Sequence, residues 1–193
     1  YYIVSNFNSL LKPRIVNIED VALNTTKVTL EPLERGFGHT LGSALRRIML
    51  SSIVGSSVTE VSIDGVQHEY STIEGIQEDV IDIMLNLKGV SFKMNGNSNA
   101  SLNISKSEVG PVKAGDIELK GDIEVVNPEH VIANITTKGS SINMQIEVSE
   151  GIGYSSANQR KDDPNRKVGS LLIDASYSPI KKVSYKVDSA RVE

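Results

Sequence analysis

The chain has 193 residues, of which 39% are hydrophobic, with a formal net charge of −4 at pH 7 and no cysteine. Such a length supports one ordinary core, or two small ones sharing a boundary. The lack of cysteine excludes a disulfide framework and a thiolate zinc site, and the acidic balance argues against a dedicated nucleic-acid surface, which needs clustered Lys and Arg.

No run of 18 apolar residues is present to span a bilayer, and no basic stretch followed by an apolar block marks a secretory signal, so the expectation is a cytoplasmic protein without a membrane partner. The sequence begins on Tyr1 rather than Met and reads as a trimmed chain or a fragment. Basic pairs at Arg46-Arg47, Arg160-Lys161, Arg166-Lys167 and Lys181-Lys182 are scattered, as solvated faces or partner contacts are, rather than gathered into a DNA groove.

Residues 26–33, TKVTLEPL, alternate apolar and polar until Pro32 and predict a strand. From Thr40 to Ile53, the residues Leu41, Ala44, Leu45, Ile48, Met49 and Ile53 recur at three-and-four spacing, which predicts a helix with one apolar face. In VTEVSIDGVQHEY, Asp64-Gly65 between alternating runs predicts a β-hairpin on a type I′ turn. The next segment, STIEGIQEDVIDIMLNLKG, sets Ile76, Val80, Ile83, Met84 and Leu87 on one helical face. Glu78 and Asp79 lie near its start and Lys88 before Gly89 at its end, so this helix complements its own dipole and ends in a glycine cap.

Val90 to Val148 is strand-rich, with a second hairpin expected about Asn95-Gly96 and a third about Lys138-Gly139. Residues 154–167 carry almost nothing apolar and read as a surface loop, of the long charged kind that is functional or mobile. After it, VGSLLIDASYSPIKKVSYKVDSARV supplies two further strands separated by Ser178-Pro179. The class is therefore α+β, mostly antiparallel sheet with two main helices; the regular strand–helix alternation of a parallel dinucleotide fold is absent.

Gly36, Gly38 and Gly42 form G-x-G-x-x-x-G, one residue too long for the dinucleotide fingerprint, and no Gly-Lys-Ser/Thr follows for a P-loop. A small-molecule enzyme using this turn as an anion site is the competing hypothesis. The plainer reading is a tight turn at Gly36 and Gly38. Gly42, which costs a helix about 1 kcal/mol relative to Ala, suggests close approach by a neighbour such as another helix.

His39, His68 and His130 form no local ligand pair, and no G-x-S-x-G elbow singles out a nucleophile. His39 is expected to cap or pack against the turn and His68 to sit in the hairpin strand. Glu78 and Asp79 are explained by the helix dipole without a metal. No catalytic residue, metal or cofactor is expected. Arg46 and Arg47 point about 100° apart, so at least one leaves the apolar stripe for solvent or for a carboxylate on another chain. Leu50 also lies off that stripe, so the helix needs cover on more than one side.

At KPRIVNIEDV, VTLEPLERGFGHTLGSALRRIMLSS, VTEVSIDGVQHEYSTIEGIQEDVIDIMLNLKG and LLIDASYSPIKKVSYKVDSARVE, the sequence closely resembles the amino-terminal domain of bacterial-type RNA polymerase alpha subunits. The resemblance implies a discontinuous dimerisation subdomain, residues 1–54 plus 178–193, and an inserted mainly β subdomain, residues 55–177. It implies a non-catalytic scaffold of DNA-directed RNA polymerase, a homodimer of alpha subunits that recruits beta and then beta-prime for transcription. The catalytic magnesium-binding aspartates are expected on beta-prime.

By this resemblance the helix matching residues 36–52 packs in the dimer interface, with Gly36, Phe37, Gly38, Leu41, Leu45 and Ile48 along it. Arg47, the second arginine of ALRRI, matches the position implicated in beta binding, and Leu50 lies in the same region. Lys88 in LNLKG and Ile173 in LLIDA match positions implicated in beta-prime contact. The family continues past ARVE into a second dimerisation helix, a linker and a DNA-binding domain, so no direct DNA binding and weaker unaided pairing are expected of these residues.

Overall fold

A computed structural model describes residues 12–189. The chain divides into two compact units, Tyr1–Met49 with Lys182–Glu193 and Leu50–Lys181. In the first, strand β1 (Arg14–Ala22) turns through Leu23-Asn24, with Asn24 at φ +59°, and returns antiparallel as β2 (Thr25–Glu31). The sequence predicts β2 but not β1. The register shifts at Val16 and again at Val21, and these two extra residues break the alternation that would reveal the strand. The shift at Val16 also sets Ile15 and Ile18 opposite Leu30 and Val28, on one face of the hairpin.

Helix α1 (Phe37–Ser51) follows. It starts one turn before Thr40, because Gly36 at φ +80° turns the chain and the Phe37 N–H donates to the Glu34 carbonyl at 3.0 Å. Gly38 is the one buried residue among the described residues of this unit. A two-stranded hairpin is marginal by itself, and the described residues of this unit enclose no core of their own.

The buried core lies in the second unit. Strands β3 (Val54–Ile63), β5 (Asn99–Lys106), β7 (Ile117–Glu118), β10 (Ile142–Ile152) and β12 (Leu171–Leu172) form an antiparallel sheet in the order β12-β3-β10-β5-β7. On β10, Ile142, Met144, Ile146 and Val148 are buried alternately with more exposed Asn143, Gln145 and Glu147, the period-two pattern of a sheet with one face on a core. Helix α2 (Val80–Lys88) packs against β3 and β9 (Val131–Ile135) and buries Val80, Ile83 and Leu87. Short pairs β4 (Phe92–Lys93) with β8 (Glu124–Val125), β6 (Gly110–Lys113) with β9, and β11 (Tyr154–Ser155) with β13 (Ala175–Ser176) complete the unit. The α+β class with two helices and mainly antiparallel sheet is the one expected.

Several local expectations are corrected. The three turns exist, with Gly65 at φ +80°, Asn95 and Gly96 at +45° and +95°, and Gly139 at +90°. None closes the expected hairpin. β3 pairs with β10 and β12, β4 with β8, and β9 with β6, while the chain after Gly65 forms no strand up to α2. Both strands of the final segment precede Ser178 rather than flanking it.

At α2, Asp79 is the N-cap residue, but the Glu78 carboxylate accepts from the backbone and side-chain nitrogens of Asn134 at 2.7 and 2.6 Å, so it joins β9 rather than serving the helix dipole. Gly89 caps α2 with ordinary φ −79°. Its reason is proximity, since a Cβ there would stand 2.7 Å from the His130 ring.

Candidate protein-interaction surfaces

One line of α1, the residues Gly38, Gly42 and Arg46 at successive four-residue steps, faces the chain segment 183–187. A Cβ on Gly38 would stand 2.8 Å from Val187, and one on Gly42 2.5 Å from the Tyr185 ring. The Arg46 Nε–H donates to the Val183 carbonyl at 3.1 Å, and the His39 ring meets Tyr185 edge-on with centroids 6.4 Å apart. The neighbour that Gly42 admits is therefore the Tyr185 ring of the same unit, not another helix. These side chains cover Gly38 and Gly42, whereas a Cβ built on Gly36 would meet nothing within 4 Å.

A second line carries Phe37, Leu41, Leu45 and Ile48, within roughly 80° of one another around the axis. Phe37, Leu45 and Ile48 are 46%, 37% and 54% exposed, and Leu41 is half-buried. An apolar stripe left this open on a helix calls for cover. Gly36 lies just before it and is exposed, and Gly38 belongs to the covered line. Arg47 and Leu50, three residues apart, share a side of α1 turned away from that stripe; Arg47 is exposed and Leu50 half-buried.

In the second unit, Lys88 is exposed at the end of α2. Ile173 is 2% exposed and packs in the core. Its N–H donates to the Thr59 carbonyl at 2.8 Å and its carbonyl accepts from Arg160. Next to Ile173, the Asp174 carboxylate feels the charge of Lys88. That carboxylate accepts the Ala157 N–H at 2.7 Å; this bond, then the Tyr154 hydroxyl and the charges of Lys88 and Arg160, holds it below the usual carboxylate range against the opposing effect of burial. Donation to Asp174 in turn raises the Tyr154 phenol.

Residues 154–167 are thus anchored rather than free. A short helical turn, Ala157–Arg160, is held at one end by Asp174, and Arg160 also reaches the Thr59 and Ser155 carbonyls at 3.0 and 3.5 Å. Lys167 pairs with Glu147 and donates to Ser101. Sequence reasoning did not single out Tyr154 or Asp174, and it read Arg160 only as half of a scattered basic pair, on a solvated face or a partner contact, whereas it binds carbonyls of its own chain. The loop itself offered only its arginines, Arg160 and Arg166, and of the carbonyls that Arg160 reaches, that of Thr59 lies far away in the chain.

The histidines do not converge. His39 packs on Tyr185, the His68 Nδ1 shares a 3.3 Å bond with the Ser71 hydroxyl in a turn rather than a strand, and the His130 Nε2 lies 2.7 Å from the Asn86 carbonyl. Among the described residues, no group of three or more His, Asp or Glu side chains could hold a metal ion, and no helix is long and apolar enough to cross a membrane. The sequence model of the RNA polymerase Rpb3/RpoA insert domain matches residues 61–178, a span that runs from within β3 to just past β13.

Proposed function

Since the chain belongs to the RNA polymerase Rpb3/RpoA insert-domain family, we propose that it is a non-catalytic assembly scaffold of the cytoplasmic enzyme. In this reading two copies pair through the Phe37–Leu41–Leu45–Ile48 stripe of α1, Arg47 and Leu50 contact beta, and the region of Lys88 and Ile173 contacts beta-prime. The matched span lies outside α1, so the pairing role rests on the helix itself. The observation that carries it is an apolar stripe left exposed in a unit whose described residues bury only Gly38. Covering the exposed half of such a side chain contributes about 1 kcal/mol, before the costs of association. Arg47 suits beta recruitment because a guanidinium binds a carboxylate with two parallel bonds, which a partner's acidic residue can match.

Coexpression with beta and beta-prime tests the reading. Arg47→Ala should keep its circular dichroism and its pairing, yet lose beta, because removing one partner of a buried charged contact costs about 2–5 kcal/mol. A folded Arg47→Ala chain that retains beta as well as the parent does would overturn the role given to Arg47.

A further inference from the structure

A cavity of about 250 Å³ in the second unit is lined by α2, by the segment that precedes it and by the chain from Ala157 to Leu172. Met84, Leu171 and Leu172 give it apolar surface. The turn Ala157–Arg160, which forms one wall, is already fixed: the Asp174 carboxylate accepts the Ala157 N–H at 2.7 Å, and Arg160 donates to the Thr59 carbonyl at 3.0 Å. A wall held in this way needs no ordering when a ligand arrives, which removes one of the costs of binding.

The charged groups around the cavity have no partners of their own. Arg166 donates through Nη2 to the Ser170 carbonyl at 2.6 Å, while its Nε is buried without an acceptor. Among the described residues, no ion pair within 4 Å engages Arg166, Lys161 or Glu69, although all three line this one cavity. Folded proteins leave few buried donors unmatched, and a half-buried guanidinium without a counter-charge is matched best by a carboxylate or phosphate.

The lining also narrows the class of anion. Two cations against one carboxylate favour a single negative charge, and Glu69 repels the second charge of a phosphate dianion. The apolar residues call for an apolar body. At about 30 Å³ per water the space equals about eight waters, enough for a small amino acid and below the range of about 300–1,000 Å³ that larger ligands occupy.

We propose that this cavity binds a small carboxylate with a short apolar body. Arg166 and Lys161 hold the carboxylate, and Met84, Leu171 and Leu172 receive the apolar end. Free apolar amino acids and short fatty acids share this chemistry. Glu69 separates the two sources, because only an amino acid brings an ammonium group for it. The inference is independent of the scaffold reading.

Titration of the isotope-labelled full chain with leucine, and separately with isocaproate, tests the proposal through the amide resonances of Ala157, Asn158 and Leu172. Saturable shifts are expected with at least one of the two, and none with isoamylamine, which has the apolar body without the carboxylate. Lys161→Gln and Arg166→Gln should each weaken that binding about tenfold or more, as loss of a charge-assisted hydrogen bond does, with circular dichroism unchanged. Tighter binding of leucine, with Glu69→Gln removing the difference, supports an amino-acid site; tighter binding of isocaproate supports a site for acids without an ammonium.

No saturable shift with either ligand would overturn the site and leave the scaffold reading standing. Binding that survives both Lys161→Gln and Arg166→Gln undiminished would overturn it as well. If Arg166→Gln does not fold, Lys161→Gln, at an exposed position, still decides.

Discussion

Replacing Gly42 by alanine sets two local effects against each other, and the structure decides which wins. Alanine favours the helix by about 1 kcal/mol over glycine. The new Cβ, however, would stand 2.5 to 2.8 Å from Cδ2, Cγ and Cε2 of Tyr185. Because Cγ is the root of the ring, a small tilt does not relieve the overlap, and the whole ring must swing away from α1. Tyr185 is 45% exposed, so about half its surface is covered. Taking a tyrosine as about 200 Å² and about 25 cal/mol per Å², the covered half contributes about 2.5 kcal/mol as an upper bound.

Because α1 stays helical whether the 183–187 segment is docked or open, the alanine preference cancels between the two states, and the lost cover weakens docking by up to about 2.5 kcal/mol, enough for a tenfold or larger rise in the open population. Limited trypsin digestion at Lys182 and Lys186 reads that population directly when opening is faster than cleavage. Gly42→Ala should be cleaved there faster by about tenfold or more, with the helical signal of α1 undiminished. A variant stabilised by about 1 kcal/mol, with Lys186 as protected as in the parent, would refute the reasoning.

Two further predictions concern the second unit. Gly89 has φ −79°, which alanine adopts freely, so any penalty for Gly89→Ala must come from the His130 ring 2.7 Å from the new Cβ. A loss of about 1–3 kcal/mol in urea unfolding is expected, and His130→Ala should relieve it in the double variant; stabilisation by Gly89→Ala alone would contradict this. For Asp174, the folded carboxyl is held down chiefly by the Ala157 N–H, and the unfolded value is about 3.9. Its contribution to stability is thus present above about pH 4 and lost as pH falls through the lower folded value. Asp174→Asn should be less stable than the parent at pH 6, with the gap closing towards pH 3; a gap unchanged across that range would show that the charge is not responsible.

What could be read along the chain was local. Gly65, Gly96 and Gly139 all take positive φ, but only at Asn95-Gly96 do both turn residues do so, and Asp64 does not, so the type I′ turn expected at Asp64-Gly65 is not formed; the three-and-four spacing of Val80, Ile83 and Leu87 marked the face that α2 buries. The strand partners were not legible, because β3 finds β10 only after most of the second unit has been made, and nothing near Asp64-Gly65 encodes that choice. β1 was hidden for another reason, since the shifts at Val16 and Val21 break its period.

The candidate surfaces divide in the same way. Gly42 announced that something approaches α1 closely, but the occupant, Tyr185, comes from the far end of the chain. Leu41, Leu45 and Ile48 of the exposed stripe followed from spacing within a single helix, whereas Phe37 was named only through the family resemblance. The clamp of Arg160 on Thr59, Ser155 and Ile173 could not be read from the loop, because all three partners are backbone carbonyls whose identity leaves no trace in composition.

Sedimentation equilibrium of the parent beside Ile48→Glu tests the central claim most directly. Ile48 is 54% exposed, so the substitution leaves no cavity in this unit, yet it puts a carboxylate in the middle of the proposed pairing stripe. The account predicts that the parent's average mass climbs with concentration towards twice the chain mass of 20.9 kDa, while Ile48→Glu stays at the single-chain value with unchanged circular dichroism. Equal masses for the two proteins across the whole concentration range would contradict it.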